Sequence, residues 1–175
     1  VEGDLYAERA AQQGGWKDFR RFRVASKTPE SDLVTSFVFE PVDGGAVIGY
    51  QPGQYLGIKL HPEGNEFDEI RQYSLSTAPN GSSYRISVKR EGTGEIAGVM
   101  SNYLHDHITV GDEIEAMPPA GDFFFQDKQR PVVLISGGVG LTPMQAMLDT
   151  LAKQQYAHPI SYLHACAHQG QHSFD

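Results

Sequence analysis

The sequence is poor in the features that build cross-linked, metal-centred or membrane-spanning proteins. Its 175 residues include one cysteine, Cys166, which excludes a disulfide framework and a thiolate cluster for zinc or iron–sulfur. No run approaches the ~18 apolar residues that a membrane span needs. Residues 1–4 are acidic where a secretory signal is basic, and no apolar run follows them. We therefore expect a cytoplasmic protein with no membrane span.

Positive charge is also scarce, because 14 Lys and Arg residues face 22 Asp and Glu residues and leave a net charge of −8. This balance argues against a nucleic-acid surface. Any bound dinucleotide must then be held by local cations and backbone N–H groups. The one basic patch, Arg20-Arg21-Phe22-Arg23, is interpreted as a solvated strand face, with docking of an acidic partner as the alternative.

Short β-like runs separated by turns fill residues 16–127. Phe22 and Val24 alternate with arginines, and further runs cover residues 34–39, 52–60, 84–90 and 114–117, with a turn at residues 28–32. A short helix is expected at residues 98–107. This pattern predicts an antiparallel sandwich or barrel. Residues 1–15 look like the tail of an upstream domain, a helix end stopped by Gly14-Gly15.

From residue 128 the pattern changes to that of a parallel α/β domain. Residues 132–135 are apolar throughout, as a parallel strand buried on both faces requires. After a glycine turn, Thr142 is the expected N-cap and Pro143 the first helical residue. A second strand is expected at residues 160–165. Two parallel strands leave faces and edges uncovered, so residues 128–175 look like the truncated start of such a domain.

The stretch Arg71-Gln72-Tyr73-Ser74 combines a cation, an amide, a flat ring and a hydroxyl. Arginine forks onto phosphate, tyrosine lies against planar heterocycles and serine reaches ring nitrogens. Strand alternation places Arg71 and Tyr73 on one side, and Gln72 and Ser74 on the other. A flavin nucleotide would use all these groups, whereas an ordinary surface strand is the alternative.

Two further stretches are candidate phosphate sites at helix starts. The first is the glycine loop at residues 137–142, which lacks the third glycine of the usual dinucleotide fingerprint because position 143 is proline. Its alternative is a tight turn without a ligand. The second is Gly98-Val99-Met100-Ser101, where Ser101 capping the helix is the alternative. Lys89 and Arg90 either steer phosphates or are solvated.

The seven histidines do not predict a metal site. His105 and His107 lie about 200° apart on a helix, and His164, four residues before His168, falls in an expected strand. Cys166 lies near a nicotinamide cofactor or is inert packing.

In combination, these motifs resemble the ferredoxin–NADP reductase superfamily, and within it the reductase module of bacterial flavohaemoglobins. The resemblance covers nearly the whole chain and implies that residues 16–127 form an antiparallel Greek-key β-barrel, the FAD-binding domain. It rests on the following stretches: Pro52-Gly53-Gln54-Tyr55, Arg71 to Ser76, Tyr84 to Glu91, Val99 to Asn102, Leu104-His105, Pro119 to Phe123 and Ser136 to Met144.

The resemblance implies FAD and NAD(P)H as cofactors and assigns residues to each. Arg71 would bind the FAD pyrophosphate, Tyr73 would pack on the isoalloxazine and Ser74 would hydrogen-bond near N5, which makes Tyr73 and Ser74 the expected catalytic residues. The other expected FAD residues are Tyr55, Gln72, Lys89, Gly98, Val99, Met100 and Ser101. The expected NAD(P)H residues are Gly137, Gly138, Val139, Gly140, Leu141 and Thr142.

The implied reaction is hydride transfer from NADH or NADPH to FAD, followed by electron delivery to haem in an upstream globin domain, where oxygen converts nitric oxide to nitrate. Haem is expected only in that domain, so this chain alone should not oxidise nitric oxide. A reductase for another oxygenase and a non-catalytic FAD-binding fragment are the alternatives. The choice between NADH and NADPH stays open, because residues 158–166 offer no acidic partner for the ribose.

Overall fold

Six antiparallel strands curl into a barrel in this computed structural model, which describes residues 10–92, 98–126 and 129–174. The strands run in the order β4-β3-β6-β1-β2-β5. The Ser76 N–H donates to the Arg85 carbonyl (2.9 Å) and Leu75 bridges to Ile86, which closes the barrel. The predicted Greek-key barrel is thereby confirmed. Its strands are β1 (Arg20–Pro29), β2 (Val34–Pro41), β3 (Tyr55–Leu60), β4 (Glu69–Ser74), β5 (Tyr84–Lys89) and β6 (Glu113–Ala116).

Side-chain alternation along these strands fills the barrel. Every second residue points inward, and the inner set is almost completely buried. It includes Phe22, Phe37, Phe39, Leu56, Ile58, Tyr84 and Ile86. Helix α1 (Val99–Asp106) contributes Met100 and Leu104 to the same core. Two limits differ from expectation: β1 continues through Pro29, and the strand expected from residue 52 begins at Tyr55.

A smaller unit follows the barrel, with β7 (Val132–Gly137) and β8 (Ile160–Ala165) joined by helix α2 (Leu141–Lys153). The strands pair in parallel, as predicted. The prediction that the first strand is buried on both faces is wrong. Leu134 is buried against Met144 and Met147 of α2, but Val133 and Ile135 are 61% and 68% exposed, because one helix covers only one face of the sheet.

The start of α2 also differs from expectation. The helix begins at Leu141 with Gly140 as N-cap, so Thr142 is not the cap and Pro143 is not the first helical residue. A 3-10 turn at Gly138–Gly140 brings the backbone into helical geometry earlier than the sequence indicated. The Thr142 hydroxyl donates back to the Val139 carbonyl (3.1 Å).

The expected N-terminal helix lies mostly outside the described residues, and so does the domain boundary expected at residues 127–128. The boundaries at residues 15 and 127 stay predictions. In the described ranges, no helix combines the length and apolarity that a membrane crossing requires.

Asp149 of α2 connects the two units. Its Oδ2 accepts hydrogen bonds from the Thr77 hydroxyl (2.8 Å) and the Ala78 N–H (2.7 Å), both in the loop after β4. Partial burial acts to raise the pKa of this carboxyl, but these two bonds and the nearby Lys153 outweigh it and hold the pKa below its ordinary value of 3.8. Asp149 is therefore ionised at neutral pH and ties α2 to the barrel.

Replacing Asp149 with Ala should lower the free energy of unfolding at pH 7 by about 1–3 kcal/mol, because two charge-assisted hydrogen bonds are lost. Thermal or urea unfolding measures this loss. Asp149→Asn is the control, because it keeps an acceptor oxygen and should lose less. A carboxyl whose pKa is lower in the folded than in the unfolded state stabilises the fold at pH values above the unfolded pKa. The stability advantage of the parent over Asp149→Asn should therefore fade as the pH falls below about 4. Equal stability of parent and Asp149→Ala at pH 7 would contradict the connection.

Candidate functional site

A cavity of about 490 Å³ lies between the barrel and the start of α2. This volume is within the range of small-molecule sites. All three stretches that the sequence singled out contribute to its wall. The lining residues are Arg71, Gln72, Tyr73, Ser74, Ser87, Lys89, Glu91, Gly98, Val99, Met100, Ser101, Val139, Gly140, Thr142 and Pro143.

Strand β4 supplies one wall of the cavity. All four residues from Arg71 to Ser74 line it. The expected division of their side chains between two sides of the strand stays a prediction. Tyr73 packs against the barrel core. Burial raises the pKa of Tyr73 to about 12, so its ring is neutral at physiological pH.

Both cations of the cavity wall carry carboxylate partners. Arg71 Nη2 lies 2.7 Å from Glu69, and Lys89 Nζ lies 3.1 Å from Glu91. Arg90 instead binds Asp106 of α1 through two nitrogens (2.7 and 2.9 Å) and does not line the cavity. Of the two adjacent cations Lys89 and Arg90, Lys89 is therefore the one that can contact a ligand in the cavity.

Helix α1 begins at the cavity wall without a side-chain cap. Its N-cap is Gly98, which makes no side-chain cap hydrogen bond. The Ser101 hydroxyl accepts from the Glu91 N–H (3.2 Å) and donates to the Gly98 carbonyl (3.2 Å), so Ser101 joins the two ends of the preceding loop and does not cap the helix. The N–H groups of a first turn have no partner within their own helix, and they carry the positive end of its dipole.

The glycine loop forms the opposite wall. Gly138 has φ +50°, in the left-handed region that favours glycine, and a Cβ at Gly138 or Gly140 would meet nothing within 4 Å. Bare backbone therefore faces open space at the start of α2, whose N-cap also lacks a side-chain bond. Val139, Gly140 and Thr142 line the cavity, whereas the other predicted loop residues do not: Gly137, Gly138 and Leu141.

Tyr55 is not among the cavity-lining residues. It pairs with Ser74 across β3 and β4, and its ring lies against Gly121, where a Cβ would be 2.8 Å from the ring. Its role toward a cofactor stays a prediction. Conversely, Ser87, Glu91 and Pro143 line the cavity but were not predicted as site residues from the sequence. Alternation along β5 was the available signal for Ser87, since it places Ser87 on the same face as Lys89.

Two of the histidines, His105 and His164, hydrogen-bond within the fold. His105 Nε2 lies 2.8 Å from the Val88 carbonyl, and burial lowers the pKa of this histidine. His164 Nδ1 lies 2.8 Å from the Ser136 hydroxyl. Cys166 is a half-buried free thiol. Within the part of the chain that the structure describes, no group of three or more His, Cys, Asp or Glu residues has the arrangement of a metal site.

The model of a known protein family, the oxidoreductase FAD-binding domain, matches residues 21–125. The chain belongs to this family. Its sequence is 58% identical over 174 residues to a flavohemoprotein of Vibrio cholerae and 53% identical to one of Deinococcus radiodurans. Each match covers 99% of this chain but only 44% and 42% of the relative. The chain thus spans less than half the length of these relatives.

Solved structures agree with this assignment. The flavohem-like FAD/NAD binding domain of nitric oxide dioxygenase from Vibrio cholerae superposes with a TM-score of 0.86 at 55% identity, over 93% of this chain and 67% of that one. A flavohemoglobin from Malassezia yamatoensis, with bound FAD and heme, gives 0.81 at 26% identity, over 98% of this chain and 43% of that one. The resemblance to the flavohaemoglobin reductase module is confirmed, and the chain is an oxidoreductase module.

The cavity fits FAD, the cofactor of the family. A phosphorylated flavin needs cations and free N–H groups for its phosphates and a flat apolar surface for its ring. Arg71, Lys89 and the uncapped start of α1 meet the first need, and the neutral, half-buried Tyr73 meets the second. These groups share one cavity, as a single extended ligand requires.

Replacing Arg71 with Ala should weaken FAD binding about 10- to 100-fold, because a charged hydrogen-bonding group contributes about 1.5–3 kcal/mol. Titration of FAD into the apo chain, followed by flavin fluorescence, measures the dissociation constant. Arg23→Ala is the matched control, since Arg23 is also an exposed strand arginine paired with a glutamate, but lies outside the cavity wall. If Arg71→Ala binds FAD as tightly as Arg23→Ala, the phosphate assignment is wrong.

Proposed function

We propose that this chain is the FAD-dependent NAD(P)H reductase module of a flavohaemoglobin-type nitric oxide dioxygenase. The observation that carries the proposal is the meeting of three stretches in one cavity: Arg71-Gln72-Tyr73-Ser74, the start of α1 and the glycine loop. A reductase that passes electrons from a nicotinamide to a flavin needs two nucleotide-binding surfaces that face each other. The opposite walls of this cavity fit that need.

The barrel residues would bind and orient the cofactor. We assign Arg71, Lys89 and residues 98–101 to the FAD phosphates, Tyr73 to one face of the ring system, and Ser74 to the ring edge. Gln72 and Tyr55 are assigned to further FAD contacts. When bound, FAD supplies the chemistry, as a hydride acceptor that releases electrons singly. Tyr73 and Ser74 would position the ring, and Tyr73 would shield from water the face of the ring that it covers.

The glycine loop would bind the NAD(P)H pyrophosphate. In this loop of residues 137–142, an open backbone turn leads into α2, whose N-cap makes no side-chain bond. This arrangement favours the binding of an anion. The domain limits that we propose are residues 16–127 for the FAD domain and residues 128–175 for the start of the nicotinamide domain. The family match at residues 21–125 falls inside the first.

The wider reaction rests on the relatives. We propose that residues 1–15 connect to an upstream globin domain, that electrons pass to its haem, and that oxygen and nitric oxide are the substrates there. The support is the name flavohemoprotein carried by relatives at 58% and 53% identity, which are more than twice as long as this chain. A cytoplasmic location is proposed from the single cysteine.

A second candidate is a reductase that feeds an iron–sulfur oxygenase. Phthalate dioxygenase reductase, described as transferring electrons from pyridine nucleotides to [2Fe-2S], superposes with a TM-score of 0.77 at 25% identity, over 89% of this chain and 46% of that one. The much higher identity to flavohemoproteins favours the first candidate.

Anaerobic addition of NADH or NADPH to the FAD-loaded chain tests the proposal. Loss of the flavin absorbance at about 450 nm indicates that the chain holds a working nicotinamide site. Dithionite serves as the control, because it bleaches bound FAD without that site. Absorbance that persists with NADH and NADPH but is lost with dithionite indicates an FAD-binding fragment without reductase activity. A chain that retains no FAD contradicts the proposal as a whole.

A further inference from the structure

Three buried serines lie beneath the cavity wall. Ser36, Ser76 and Ser87 are 2%, 0% and 4% exposed. Ser36 and Ser87 are cross-strand partners on β2 and β5, with their hydroxyl oxygens 2.7 Å apart, and the Ser76 hydroxyl lies 2.8 Å from that of Ser87. Of the three, only Ser87 lines the cavity. Ser87 is therefore the point at which this buried cluster meets a ligand.

The direction of the first hydrogen bond in the cluster is fixed by Arg85. Its Nη2 donates to the Ser36 hydroxyl oxygen (3.1 Å) and forms an ion pair with Glu30 (2.5 Å). A guanidinium only donates, so Ser36 must accept from it. The Ser36 proton is then directed to Ser87, the other hydroxyl within reach. Ser87 thus receives a hydrogen bond whatever occupies the cavity.

The proton of Ser76 has two acceptors of unequal quality. One is the Arg85 carbonyl at 3.4 Å, which is long for an O–H donor and already accepts the Ser76 N–H. The other is the Ser87 hydroxyl at 2.8 Å. When Ser76 donates to Ser87, Ser87 accepts two hydrogen bonds and its own proton is left to donate into the cavity. A hydroxyl that accepts is also a stronger donor, because chains of hydrogen bonds polarise one another.

We propose that Ser87 is a further cofactor-binding residue, which donates a hydrogen bond to an acceptor atom of the flavin ring. Oxidised flavin offers several such atoms, two carbonyl oxygens and two unprotonated ring nitrogens, and a single ring N–H. A wall hydroxyl directed to donate therefore matches the chemistry of the ring. This inference rests on the proposed FAD site and adds to it a residue on β5.

The test compares FAD affinity in three variants of the full chain. Ser87→Ala and Ser87→Cys should each weaken FAD binding about three- to tenfold, the effect of one neutral hydrogen bond. Cysteine has a similar shape but is a poor hydrogen-bond donor. Weaker FAD binding in Ser87→Cys therefore reports the lost hydrogen bond and not an empty space. Ser36→Ala is the matched control, because it removes an equally buried hydroxyl from the same cluster, away from the cavity.

Ser36→Ala should bind FAD nearly as tightly as the parent, since Ser87 still accepts from Ser76. The absorption band of bound flavin gives a second readout, and it should shift in Ser87→Cys but not in Ser36→Ala. Parent-like affinity in both Ser87 variants overturns the proposal. Equal weakening in Ser36→Ala and Ser87→Ala also overturns it, because the cluster would then act only through the fold. A parent chain that binds no FAD is a distinct result, which overturns the FAD site itself and this assignment with it.

Discussion

The two hydrogen bonds that Asp149 accepts from the barrel set the distance across the cavity. Asp149 lies eight residues after Leu141, so the bonded carboxylate and the start of α2 are about 12 Å apart along one rigid helix. The loop that donates, at Thr77 and Ala78, follows directly on β4. The glycine turn and the Arg71–Ser74 stretch are therefore held relative to each other by one short helix and one short loop. Neither wall of the cavity can move far while these bonds persist.

Local charge decides how an acidic chain can hold an anion. The net charge is −8, and both cavity cations are paired with glutamates, Arg71 with Glu69 and Lys89 with Glu91. Exposed pairs of this kind contribute only about 0–1 kcal/mol. A phosphate can therefore replace the carboxylate as partner at small cost, while the pair holds each cation near the cavity before a ligand arrives. The first-turn N–H groups of α1, whose N-cap makes no side-chain cap hydrogen bond, add a further attraction.

The sequence predicted which strands and helices form better than it predicted how the strands pair and where the helices begin. The alternation of apolar residues at Phe37 and Phe39 was sufficient to predict a barrel strand, because a strand buried on one face has an apolar residue at every second position. It could not reveal that β6 inserts between β3 and β1, since the pairing of Ile58 with Ala116 joins residues far apart in the chain. Thr142 is a residue type that often caps helices, but the 3-10 turn that precedes it starts the helix earlier. Alternation along β5 could place Ser87 on the face of Lys89, but it could not reveal the buried hydroxyl cluster, because that cluster depends on cross-strand pairing with Ser36.

The two proposed nucleotide sites lie in different parts of this chain. Of the fifteen described residues that line the cavity, eleven lie between Arg71 and Ser101, on β4, β5, α1 and the loop before α1, whereas four lie between Val139 and Pro143. The barrel residues are fixed by a closed sheet and a continuous aromatic core. The glycine loop is instead carried by two parallel strands, with Val133, Ile135 and Leu163 exposed on the face that α2 leaves uncovered. Within the described residues the link between the two parts is the Asp149 contact, through which the barrel holds the helix that follows the glycine loop.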